Sequence, residues 1–481
     1  MLSLPILGLA TCLLLLSLKL FQAITSPLSK IPGPRYTILT PIFLMLQEFT
    51  SKRRLYIHRL HQKYGPVVRL GPNEVSFTSL EALREIYTSG GSGYDRTEFY
   101  TLFMQFGVSQ KKRYIAGQYA NTNIMRPSVV GGVQERASAF VTKCAESGKE
   151  SLDVYVYLHC YALDCATHHL FHPYGTHSIE REEDLEMMQE LSYYPTVKSQ
   201  SSLSPLIPPH LTRRKPALSG NFAQYYWPTL SELFSKPRPS PLANSYVLST
   251  AQKADPAPQT LLYKLQNSKD YFEQMEIAAE CMDHLAAGID TTGDALCFLL
   301  YQLSLPSSAP IQERLFRELS QNQDTPLDEL LYLDAVIKEG LRCFPVIPMS
   351  QPRYVPSGGR DIDGYFVPGG TIVSCQAWSV HRLNEDVYPN GAEFLPERWL
   401  EPQASLEMNK LFFAFGAGGR GCIGRHLAMA EMRCLLKGVY SRFKTSIAPD
   451  MKGRMTLSDQ VVSSRPLDQT CKLIFEARNE A

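Results

Sequence analysis

The chain has almost no net charge: 48 lysines and arginines stand against 47 aspartates and glutamates in 481 residues, leaving +1. That balance offers no basic stripe or domain to a nucleic acid. No two of the 11 cysteines form a C-x-x-C pair, and the tightest spacing is Cys160 to Cys165. A zinc ribbon and a dense disulfide scaffold are therefore excluded, and the thiols read as mostly reduced. There is no internal repeat and no low-complexity tract, and past the N-terminus no apolar run is long enough to span a bilayer. What the sequence does have is apolar bulk. Hydrophobic residues make up 44%, with 22 Phe and 25 Tyr, enough for a large core and too much for a disordered chain. Length alone gives a prior of about three domains. Composition describes a large globular protein and names no function.

From Leu2 to Leu18 no charged residue occurs. About 20 helical residues at 1.5 Å each span about 30 Å, the thickness of a bilayer's hydrocarbon core. A cleaved secretory signal would want a positive n-region and a small-x-small site. Here Lys19, Lys30, Arg35, Lys52, Arg53 and Arg54 all follow the run. The expectation is an uncleaved transmembrane anchor over 1–22 with the body in the cytosol. Ile31-Pro32-Gly33-Pro34 then reads as a stiff break, so 23–35 is a Pro-rich hinge and 36–481 the globular body. Tyr64 to Asn73 reads as a strand and turn continuing into a strand from Glu74 to Phe77. Residues 150–195 look helical, and three helical stretches follow over 270–345. Residues 199–258 are rich in Pro and Ser, with Leu206-Ile207-Pro208-Pro209 as an apolar loop, and short strands with Pro/Gly turns fill 350–400. Helices outweigh strands.

The most informative stretch is Phe415-Gly416-Ala417-Gly418-Gly419-Arg420-Gly421-Cys422-Ile423-Gly424, with a helical pattern opening directly after it. A sulfur at a helix N-terminus sees unpaired N–H groups and the positive dipole end, which favours its thiolate. Glycines let backbone approach a flat ligand. Such a site suits a reactive thiol or a metal ligand, against the bland alternative of a buried cysteine at a turn. Upstream, Ala287-Gly288-Ile289-Asp290-Thr291-Thr292 puts an acid and two hydroxyls in an apolar helical run. Such threonines can simply bond back to the preceding turn. Glu339 and Arg342 have i, i+3 spacing, by itself usually a solvated ion pair, and Pro396-Glu397-Arg398 follows.

Together these motifs resemble the cytochrome P-450 family. F-x-x-G-x-R-x-C-x-G resembles its haem-binding signature, A-G-x-D-T its oxygen-activating helix, and E-x-x-R with P-E-R its buried charge network. They stand in the family's order, 48 residues from Thr291 to Glu339 and 83 from Glu339 to Cys422. The anchor, the I-P-G-P hinge and the Y-G-P-V-V-R strand extend the resemblance over nearly the whole chain. It implies a mainly α fold with small β-sheets, the cytochrome P-450 fold, preceded by one N-terminal transmembrane helix, with 36–481 as the haem-thiolate catalytic domain. Cys422 is then the axial ligand of haem b iron. Arg420 pairs with a propionate, Phe415 packs near the sulfur, Gly418 belongs to the haem loop, and Gly424 lets the next helix pass the ring. Thr291 holds the oxygen species and Asp290 feeds protons from water, while Gly288 leaves room for dioxygen. Glu339, Arg342 and Arg398 form a structural network.

Other positions match less closely. Arg353 stands where many members bind a propionate. Arg113 is the candidate for the early-helix arginine, but its aromatic partner is absent. Lys111-Lys112-Arg113 is expected on the proximal side, helping to dock an acidic reductase domain. His381-Arg382 suggests a structural role. His168 and His172 have i, i+4 spacing, but no carboxylate completes an H-E-x-x-H pattern. The implied pocket consists of Phe103, Met104, Phe106, Leu285, Ala286, Val346, Ile347, Met349, Val461 and Val462, so the substrate is a lipophilic small molecule.

The activity implied is insertion of one oxygen atom from O2, hydroxylation or epoxidation. Electrons come from NADPH through a separate NADPH-cytochrome P-450 reductase, since only 59 residues follow Cys422. The style of the Y-G-P-V-V-R and K-E-G-L-R segments is similar to that of membrane-bound fungal members acting in secondary-metabolite (terpenoid, polyketide or alkaloid) biosynthesis. The expected location is a single pass of the endoplasmic reticulum membrane, with no nucleic-acid partner. The alternatives are a haem-thiolate isomerase or dehydratase that uses no O2, and a non-enzymatic haem sensor.

Overall fold

The computed structural model describes residues 4–88, 93–103, 105–106, 116–192, 240–268, 272–459 and 463–478. Expectations for Met104, Lys111, Lys112, Arg113, Val461, Val462 and the 206–209 loop fall outside them. Helix α1 (Leu4–Thr25) forms over the apolar N-terminal run. Among the described residues, however, no helix is long and apolar enough to cross a membrane. That finding corrects the expected transmembrane helix over 1–22 and the single-pass endoplasmic-reticulum location that rested on it. The described side chains of α1 mix Ser17, Lys19, Gln22 and Thr25 with the leucines, and a charge such as that of Lys19 is costly in hydrocarbon. Ser17 and Thr25 turn their hydroxyls back to Leu13 O and Phe21 O, both at 2.7 Å. The I-P-G-P segment is tied to the body. The buried Arg69 guanidinium donates to Leu28 O and Ile31 O, both at 2.8 Å, and to Thr37 Oγ1 at 3.0 Å.

The body is mainly helical with small sheets. Helix α2 (Pro127–Ser147) starts on a proline, which fits a first turn whose N–H would be unpaired anyway. Helix α3 (Val154–Phe171) is capped by the Asp153 carboxylate, which accepts from Tyr155 N at 3.2 Å. All but two of its residues are buried, so it is a core helix with no solvent face. It packs along α4 (Gln274–Ser304), the longest of the described helices at 31 residues or about 46 Å. A capping box between Glu273 and Glu276 starts α4. In the middle of α4 burial lapses from Ala286 to Thr291, Ile289 excepted, and resumes at Thr292. Helices α5 (Leu331–Cys343) and α6 (Arg425–Tyr440) complete the frame around the main hydrophobic core.

Strands β1 (Val67–Gly71) and β2 (Glu74–Phe77) form the hairpin expected at 64–77. They lead a five-stranded sheet in the order β1-β2-β5-β4-β3, with β3 Asp95–Arg96, β4 Arg353–Tyr354 and β5 Ile372–Cys375. β2 and β5 run parallel, and the other pairs are antiparallel. The last pairing sets Arg96 opposite Arg353, which brings two cations together across 257 residues of chain.

Candidate active site

The cysteine loop is built from its own backbone. Cys422 N donates to Phe415 O at 2.7 Å, Gly421 N to Gly418 O at 3.0 Å and Gly416 N to Phe413 O at 3.1 Å. Gly416 and Gly418 have φ of +66° and +64°, a region that glycine enters without strain. Gly418 also has no space for a side chain, because a Cβ there would lie 1.8 Å from Tyr87 O. It brings the loop against Tyr87 instead of lining the cavity, which revises its expected place beside a flat ligand. Gly424 caps α6, and a Cβ there would lie 4.0 Å from Cys422 Sγ. The Cys422 thiol is exposed, whereas the other described cysteines are buried.

Cys422 lines a cavity of about 1280 Å³ that Ala286, Ala287, Gly288, Asp290, Thr291 and Thr292 of α4 also border. Phe415, Arg420, Gly424, Arg353, Val346, Ile347, Met349, Ala286, Asp290 and Thr291 all border this space. Leu285 does not. It is fully buried in the core between α3 and α4, because one residue along a helix turns the side chain by about 100°. Phe106 likewise packs against that core, with φ of +50°, and is not on the cavity wall among the described residues. Phe103 ends a short 3-10 helix, and nothing more is described of it. Gly288 turns its bare face to α3, where a Cβ would meet Ala166 Cβ at 3.3 Å. It thereby permits close helix packing, and it also borders the cavity.

Thr291 Oγ1 donates to Ala287 O at 2.7 Å, the back-bond into the preceding turn that threonine makes in helices. Asp290 Oδ2 faces Arg465 Nη2 at 3.6 Å, and Arg465 is itself buried and donates to Ser192 O at 2.9 Å. Thr292 Oγ1 reaches Glu431 Oε2 at 3.1 Å, tying α4 to α6. Burial pushes the Glu431 carboxyl up to about 8, against the opposing Thr292 hydrogen bond.

One end of the cavity is cationic. Arg353 is buried, donates to Pro352 O at 2.9 Å and to the Tyr100 hydroxyl, and lies 4.9 Å over the Tyr100 ring. Arg96 lies 4.7 Å over the same ring, and its Nε is buried without a hydrogen-bond partner. Burial lowers the Arg96 pKa; Tyr100 opposes that shift, and nearby Arg353 and Arg420 add to it. Among the described residues none of these three guanidinium groups makes an ion pair. They fit the propionate edge of the haem implied by the resemblance, since a dianionic edge would neutralise crowded cations and engage the idle Nε. Arg96 escaped sequence reasoning. Its one signal is the strand pairing with Arg353.

Behind the loop, Glu339 and Arg342 form a fully buried bidentate pair, Nε to Oε2 and Nη2 to Oε1, both 2.8 Å. Arg398 Nε reaches Oε1 at 3.0 Å, and Trp399 Nε1 reaches Oε2 at 2.9 Å. His381 extends this network. Its Nε2 accepts from Phe413 N at 2.8 Å, so its Nδ1 carries the proton and donates to Arg342 O at 3.3 Å. Burial, then Arg342 and Arg382, holds the His381 pKa well below its ordinary value, consistent with that neutral tautomer. His381 thus joins the charge network to the residue that opens the cysteine loop. His168 packs over Gly132 of α2, and no group of three potential metal ligands occurs among the described residues.

A family model described as Cytochrome P450 matches residues 32–472. The chain is 29% identical over 461 residues to cytochrome P450 monooxygenase orf2 of Aspergillus niger, covering 89% of this chain and 88% of that protein. It is 29% identical over 480 residues to cytochrome P450 monooxygenase stcB of Emericella nidulans, covering 93% and 88%. It is 28% identical over 498 residues to cytochrome P450 monooxygenase cloA of Claviceps purpurea, covering 95% and 93%.

Proposed function

The chain belongs to the cytochrome P450 family, and from that premise we propose which residues do the work, what supplies the electrons and what class of molecule is oxidised. The enzyme is a haem-thiolate monooxygenase. Haem, when bound there, would supply the O2 chemistry by which R–H, O2, two electrons and two protons give R–OH and water. Cys422 is the thiolate that holds the iron, and the α6 N-terminus beside it favours the ionised sulfur. Arg96, Arg353 and Arg420 clamp the propionates. The observation that carries this reading is that the exposed Cys422 thiol and the Asp290–Thr291 step of α4 border one cavity.

Thr291 supplies an oxygen that faces this cavity while its proton is held by Ala287 O. Rotation about its side-chain bond frees that proton for a reacting oxygen. Asp290 takes protons from water and hands them on once its contact with Arg465 loosens. Glu339, Arg342 and Arg398, continued by His381, hold the loop that presents the sulfur. Apolar Ala286, Val346, Ile347 and Met349 around the opening support a lipophilic substrate. The fungal relatives support a step in secondary metabolism, on a terpenoid, polyketide or alkaloid skeleton. NADPH, through an NADPH-cytochrome P450 reductase, is the proposed electron source. Purified enzyme with that reductase, NADPH and isotopically labelled O2 should give product carrying one labelled oxygen atom. Product formed without label would identify an isomerase or dehydratase instead.

A further inference from the structure

Resting on the oxygen-insertion reading, in which Asp290 moves protons, we propose that His159 is a positioning residue for that step. It shares one buried proton with Asp294, a helical turn beyond Asp290, and so leaves Arg465 to Asp290. Asp294 lies four residues after Asp290 on α4, and His159 belongs to α3, which packs along it. His159 Nε2 is 3.5 Å from Asp294 Oδ1, and both residues are fully buried. Neither that nitrogen nor either Asp294 carboxyl oxygen has a hydrogen-bond partner. The chain keeps space for the ring, because a Cβ at Gly293 would lie 2.8 Å from His159 Cδ2.

The other ring nitrogen fixes the chemistry. His159 Nδ1 is 2.7 Å from Tyr155 O, and a carbonyl only accepts, so Nδ1 carries a hydrogen. In a neutral ring Nε2 is then a bare lone pair, and it would face the acceptor-only oxygen of an ionised carboxylate. A proton between the two, on Nε2 or on Oδ1, removes that conflict, and in either place the pair carries no net charge. The meeting of His284 Nε2 with Glu280 Oε1 at 3.7 Å imposes no such proton, because His284 Nδ1 faces the Tyr119 hydroxyl, which can give or take. Around the pair stand Asp290, Arg465, Tyr155 and Cys297. Burial works against a charged His159 ring, but Asp294 and Asp290 turn its pKa upward. Burial also raises the Asp294 pKa, against His159 and Arg465. Both directions retain the shared proton. Arg465, on the strand Ser464–Pro466, is left to Asp290, 3.6 Å away.

The test compares full-length, haem-loaded wild type with His159→Leu, Asp294→Asn and the double variant. The proton is read first, from pH 6 to pH 9 in the ferrous carbonmonoxy protein. Histidine-selective nitrogen NMR detects a doubly protonated His159 ring, and the infrared difference against Asp294→Asn detects a protonated carboxyl; one of the two should persist over the whole range. NADPH consumption in air, with excess reductase and no added substrate, then reads the proton-linked reduction of O2. In His159→Leu the Asp294 carboxyl has no counter-charge. Burial keeps it protonated at low pH, and it becomes a second anion as pH rises. It then draws Arg465 away and repels the negative form of Asp290, which holds its proton instead of handing it on. Consumption should match wild type at pH 6, fall about tenfold below it by pH 9 and slow further in D2O. The double variant should recover that loss, because an amide at 294 cannot ionise. His159→Gln, a smaller change that brings a donor without a charge, should show the same trend at lower amplitude. The inference is overturned if neither ring nor carboxyl holds the proton, if both His159 variants follow wild type at every pH, or if the double variant keeps the loss. Failure of the parent reading shows separately, as a missing thiolate-type carbonmonoxy band or no O2-dependent NADPH consumption in wild type.

Discussion

At residue 422 a thiol stands exposed at the start of a helix while nine other described cysteines are buried, and burial raises the pKa of most of them, Cys281 and Cys375 included. Cys422→Ser removes the only exposed sulfur among them. It should abolish both the red-shifted carbonmonoxy Soret band and turnover, and retention of both would defeat the ligand assignment. Thr291→Ala deletes one hydroxyl and one methyl from a half-exposed helical position. The folded spectrum and substrate binding should survive, while reducing equivalents leak to hydrogen peroxide. Asp290→Asn keeps the shape but cannot carry a proton, so turnover should fall on the order of 10²-fold with less uncoupling. Product yield per NADPH, measured beside peroxide release, distinguishes the two.

At the scale of elements, the cysteine loop is held from two sides. One is the close pass of Gly418 against Tyr87, where Gly418→Ala meets both a positive φ and a backbone oxygen at 1.8 Å. The variant should lose more than about 1 kcal/mol of stability and load less haem, as measured by urea unfolding and the haem-to-protein absorbance ratio. The other is the path from α5 through Arg342 and His381 to Phe413. Arg342→Leu strips a fully buried carboxylate of its bidentate partner and three carbonyls of their donor. Breaking such a pair costs about 3–5 kcal/mol. The thermal midpoint should drop accordingly, and haem should dissociate before the helices melt. A variant with unchanged midpoint and haem content would show that the network does not hold the loop.

For the whole molecule, Glu431 makes stability depend on pH. Folded, its carboxyl titrates at about 8; its ordinary value is 4.5. Between those values the folded protein keeps a proton that the unfolded chain has lost. Stability from this group is therefore fully present below about 4.5 and declines as pH rises, by at most about 1.4 kcal/mol per unit, until about 8. Glu431→Gln stays neutral and can still accept from Thr292, so it removes that slope. Unfolding free energies of wild type and variant should diverge in favour of the variant from pH 6 to pH 8. Parallel curves would mean that water or a cation reaches the carboxylate.

The sequence by itself determined what is chemically local. A cysteine three residues before a helix, an acid and a threonine side by side, and Glu339 three residues from Arg342 are relations that backbone geometry preserves in any packing. Their order and spacing were enough for the family and the class of reaction. Tertiary structure decided whatever depends on side-chain direction or on distant pairing. Ala286 faces the cavity and Leu285 the core because packing against α3 sets the phase of α4. Arg96 meets Arg353 through a strand pairing, Arg465 meets Asp290 across 175 residues, and His381 joins α5 to the cysteine loop. The N-terminal run read as an anchor by composition, yet no described helix combines the length and apolarity to cross a membrane. His169 reads in the sequence as one of several helical histidines. It comes to border the cavity beside Tyr119 and His284, which other elements bring in, only through the packing of α3 on α4.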